Sequence, residues 1–94
     1  MVFTLLSYAQ NIKGILLDGK NNKPLVSANV YIKNTHEGFS TSKKGRFALE
    51  LSNQALVSDT IYFSHVGYLT KKITILEFLK TNHVVCLYKP SDQQ

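Results

Sequence analysis

Apolar and polar residues alternate along this chain with a period of two, and turn-forming residues break the alternation at short intervals. Ile12, Gly14 and Leu16 alternate with Lys13, Ile15 and Leu17. Ala28, Val30 and Ile32 alternate with Asn29, Tyr31 and Lys33, and Phe47, Leu49 and Leu51 with Arg46, Ala48 and Glu50. Ile61 and Phe63 alternate with Tyr62 and Ser64. Leu69, Lys71, Ile73 and Ile75 read as one side of a further strand, and Val85 with Leu87 closes the series. Successive strand residues point to opposite faces, so each run offers one face to a core and one to water. Asp18-Gly19, Asn21-Asn22, Glu37-Gly38, Lys44-Gly45, Gly67 and Thr81-Asn82 supply turn chemistry between the runs. Only Ile75 to Lys80 hints at a helical turn, too short to stand unaided. Six or seven short strands at this spacing predict an all-β sandwich.

The 94 residues make one domain with a single core. An apolar content of 44% with 18% charged residues excludes a disordered segment. No apolar run approaches the roughly 20 residues of a membrane-spanning helix. Residues 1–9 read as the remnant of a secretory signal peptide. Apolar residues there lead into Ser7-Tyr8-Ala9, a small-x-small cleavage pattern, and Gln10 becomes the first mature residue. On that reading the protein is exported. The folded domain is expected over residues 10–89, with 90–94 a polar, flexible tail. The lone Cys86 excludes an internal disulfide, and its apolar surroundings predict a buried free thiol.

Eleven Lys and Arg against six Asp and Glu give a net charge of +5. Such a surplus fits either a solvated surface or attraction to an anionic partner. The charges are spread, and only Lys43/Lys44/Arg46 and Lys71/Lys72 cluster. The stretch TSKKGRFALEL (41–51) therefore poses the main choice: a basic loop that grips a ligand, or a turn that starts a strand.

Catalytic chemistry finds little support. His36, His65 and His83 are scattered and no H-x-x-E or H-E-x-x-H occurs, so no metal site is expected. Ser64 and His65 are strand neighbours that face opposite sides, which prevents a shared proton. There is no glycine-rich phosphate loop, and no cofactor is expected. Tyr31, Tyr62 and Tyr68 are candidates for outer faces, where tyrosines either pack with the hydroxyl at a rim or form a carbohydrate platform. Tyr68, after Gly67, is expected to turn a corner with its ring over the sandwich edge.

The ordered series Lys23-Pro24-Leu25, Ala28-Asn29-Val30, Gly45-Arg46-Phe47 and Ser64-His65-Val66-Gly67-Tyr68 resembles the carboxypeptidase regulatory-like domain over about Asn11 to Lys89. The resemblance implies a seven-stranded, transthyretin-like (prealbumin-like) Greek-key β-sandwich that is not an enzyme. It implies a place at the N-terminus of exported and outer-membrane proteins of Bacteroidetes-like bacteria, including TonB-dependent receptors. Two positions depart from the family pattern: Ser42 stands where Asp is common, and Ser27 where glycine is common. The expected function is an accessory or interaction domain, periplasmic or cell-surface, that positions or recruits a neighbouring domain or partner protein, with edge-strand pairing as the means. Nucleic acid is not an expected partner. The alternative is a module that binds an anionic glycan through Lys43, Lys44 and Arg46, with Tyr68 beside them.

Overall fold

The computed structural model describes residues 11–32, 38–50 and 59–93. Within them strand β1 (Asn11–Asp18) is the centre of a three-stranded sheet. It pairs antiparallel with β4 (Arg46–Glu50) and parallel with β7 (Val84–Leu87). A four-stranded antiparallel sheet runs in the order β3 (Gly38–Ser40), β2 (Asn29–Ile32), β5 (Thr60–Ser64), β6 (Lys71–Thr74). The mostly β architecture expected from the alternation is borne out, and the two sheets enclose one core. Residues 1–9 and Leu51 lie outside the described residues.

The alternation explains the core residue by residue. Ile12, Leu16, Val30, Ile32, Phe47, Leu49, Ile61, Phe63, Val85 and Leu87 are all buried, each the inward partner in its run. Burying an aliphatic or phenyl side chain of this size contributes about 1.5–3 kcal/mol. Phe47 meets Phe63 edge to face at 5.5 Å, which fastens the two sheets together.

Three elements differ from the sequence reading. The run Leu69 to Ile75 is not a single strand side: Leu69 is exposed ahead of β6, and Ile75 begins helix α1 (Ile75–Leu79), where the sequence also hinted at a helical turn. The cause is a capping box. Thr74 Oγ1 accepts the Glu77 N–H at 3.1 Å while the Glu77 carboxylate accepts the Thr74 N–H at 3.1 Å. Ile75 and Phe78 then anchor the helix in the core. Cys86 is half-buried rather than buried, because Val85 and Leu87 take the inward positions of β7 and leave Cys86 on the other face. Residues 90–93, expected as a loose tail, carry one 3₁₀ turn at Pro90–Gln93.

Candidate functional site

The loops between β1 and β2, β3 and β4, and β5 and β6, with the segment after β7, are tied together at one end of the sandwich. Leu16 N–H donates to Gly45 C=O at 2.7 Å, and Leu69 N–H to Tyr88 C=O at 2.9 Å. A ring nitrogen of His65 reaches Val26 C=O at 3.0 Å. All the residues singled out as candidate ligand contacts belong to this end.

The segment 41–46 is a turn that starts a strand. Ser42 Oγ accepts the N–H groups of Lys44 at 3.3 Å and Arg46 at 3.2 Å, the capping role open to a serine where a carboxylate is common. Gly45 sits at φ +73°, and a Cβ there would lie 2.5 Å from Leu16 O. Only glycine combines that backbone with that clearance. Lys43 and Lys44 are exposed on the turn, and Arg46 is exposed at the first position of β4.

Thr41 and Ser27 build the adjoining bulge. Ser27 N–H donates to Thr41 C=O at 3.0 Å and Thr41 N–H to Ala28 C=O at 2.9 Å, so two residues oppose one. Ser27 holds φ +60°, the left-handed value that glycine adopts most cheaply. Buried Thr41 accepts the Ala28 N–H through Oγ1 and donates to Leu25 C=O.

Tyr68 lies at the same end and is held by the fold. Its hydroxyl donates to Asp18 Oδ2 at 2.5 Å, its ring packs on the core, and His65 meets it edge-on at 5.2 Å. The expected corner is present, with Gly67 at φ +87°. Asp18 is buried, and its other oxygen accepts the N–H groups of Lys20 at 2.7 Å and Asn21 at 3.1 Å. The Tyr68 hydroxyl first, then the Lys20 and Asn21 amides and the charge of Lys89, hold the Asp18 carboxyl below its ordinary value against the opposing effect of burial. Sequence reading took Asp18 only for a turn residue. It is the hub of this end of the molecule.

Beside β1 and β4 lies a groove of about 470 Å³ that sequence reading missed. Ile15, Phe39, Ala48 and Val84 line it, with Lys13 and Arg46 among them. These residues come from four separate segments, so no local motif marks it. The ring nitrogens of His65 both face backbone carbonyls, those of Val26 and Val66, rather than Ser64. Among the described residues no three His, Cys, Asp or Glu side chains gather as a metal site.

A family model described as the CarboxypepD_reg-like domain matches residues 12–93. A search of curated proteins found no match.

Proposed function

Since this chain belongs to the carboxypeptidase regulatory-like domain family, a non-catalytic β-sandwich type, we propose that it is an accessory domain that positions or recruits a neighbouring domain or partner protein. The same reading takes its two sheets as the seven-stranded transthyretin-like Greek key. It also takes the protein as exported to the periplasm or cell surface, on the strength of the apolar start and Ser7-Tyr8-Ala9.

The observation that carries the interaction role is the flank of β4. Among the described residues this strand is the edge of its sheet, and an apolar groove lies directly beside it. An edge offers backbone N–H and C=O groups to an incoming strand, and a groove beside it receives alternate side chains. A photo-crosslinking residue in place of Ala48, exposed on β4, should capture one discrete protein in the native cell. The same residue in place of Leu76, exposed on α1, should not. Equal, diffuse labelling from both positions would remove the reading.

One observation favours an anionic-glycan role as the second reading. The converging loops gather Lys20, Lys23, Lys43, Lys44 and Lys89, all exposed, at a single end. Retention of the protein on a sulfated glycan that falls steeply with salt, alongside no capture from Ala48, would favour this reading over the first.

A further inference from the structure

The outer face of the four-stranded sheet carries a row of residues that register aligns across all its strands: Gly38, Tyr31, Tyr62 and Lys72. The tyrosine rings stack with centroids 5.2 Å apart and planes 16° apart. Lys72 Nζ lies 5.6 Å from the Tyr62 ring centroid. Tyr62 is therefore flanked by a ring on one side and an ammonium group on the other. Tyr31 is not. Beyond it in the row stands a glycine, which has no side chain to cover the ring.

The result is a cleft of about 420 Å³ over Gly38, walled by the open side of Tyr31, itself 38% exposed. Asn29 and Ser40, which are cross-strand partners in the next row, line the same cleft. They set an amide and a hydroxyl beside the ring, groups that both donate and accept hydrogen bonds. None of the residues lining the cleft carries a charge.

We propose that this cleft binds one neutral pyranose unit of a glycan. The C–H face of the sugar ring lies against the Tyr31 ring, and its hydroxyls bond to the Asn29 amide and Ser40 hydroxyl. An apolar wall with a few placed polar groups is the pattern of a small-ligand site. A charged ligand would find no counter-charge in the cleft. Phe39, also exposed, lines the same cleft, so a proline-rich segment, which docks on aromatic-lined grooves, is the competing occupant that the test separates. The cleft shares Phe39 with the groove beside β4, and the inference does not rest on the accessory role.

The test uses the full 94-residue chain titrated with neutral hexasaccharides of glucose, mannose and xylose, followed by amide chemical shifts. At least one should move the amides of residues 29–31 and 38–40, with a dissociation constant of about 1 mM and no dependence on salt. Gly38→Val fills the cleft without straining the strand, since a Cβ there lies 3.7 Å from Tyr31 Cβ, an ordinary contact. It should leave the melting temperature in place and weaken binding about tenfold or more. Tyr31→Ala should weaken it likewise. The proposal is overturned if no hexasaccharide moves these amides, if Gly38→Val binds as well as the parent, or if only a proline-rich peptide shifts them.

Discussion

Two residues distant in sequence, Asp18 and Tyr68, tie the loop end together through one hydrogen bond, and that bond makes stability depend on pH. The folded-state pKa of Asp18 is lowered, so the unfolded chain binds a proton more readily than the folded one. The resulting stabilisation is fully present above the ordinary carboxylate range and is lost as pH falls through the lowered folded value. Tyr68→Phe removes the largest cause of the shift. It should lower the melting temperature at neutral pH and flatten its fall on acidification, so that the two curves draw together at low pH. Parallel curves across the acid range would show that the bond does not set the Asp18 pKa. Nothing local marks this pair in the sequence: an Asp-Gly and a Gly-Tyr each read as a turn, and only the fold brings them within reach. Ser42 was more legible, because its partners lie two and four residues away.

Among the elements, strands with a buried face were readable because burial imposes the two-residue period directly. The end of β6 was not, although Thr74-Ile75-Leu76-Glu77 spells the S/T-x-x-E pattern of a capping box. The apolar spacing of Ile73 and Ile75 continues the strand on paper, while the cap at Thr74 ends it in the folded chain. The bulge between β2 and β3 yields a prediction at this scale. Ser27 pays for a left-handed backbone with Cβ crowding, a penalty that glycine escapes at some cost in chain entropy. Ser27→Gly should stabilise the domain by about 0.5–1 kcal/mol, seen as a higher urea midpoint with an unchanged slope. A lower midpoint would mean that the serine side chain contributes more than its backbone costs.

For the molecule as a whole, one core spans both sheets, and α1 adds Ile75 and Phe78 to it. A domain of this size has about 5–15 kcal/mol of total stability, so one central aromatic decides whether it folds. Phe63→Ala should cost about 3–5 kcal/mol and leave the protein largely unfolded at 37 °C by circular dichroism, whereas Leu76→Ala on the exposed side of α1 should be nearly neutral. Comparable losses from both would refute the placement of the core. The order of strands was beyond sequence reading for the same reason that the core was within it: a hydrophobic period says which way a side chain faces and nothing about its neighbouring strand. The parallel seam joining Ile15 to Val84 illustrates this. It also bears on how the protein is made. As the polypeptide leaves the ribosome, β1 must wait, with one backbone margin bare, until β7 emerges to close the sheet. A nascent chain stalled before Val84 should therefore be a favoured client of holding chaperones, and one released beyond Leu87 should not.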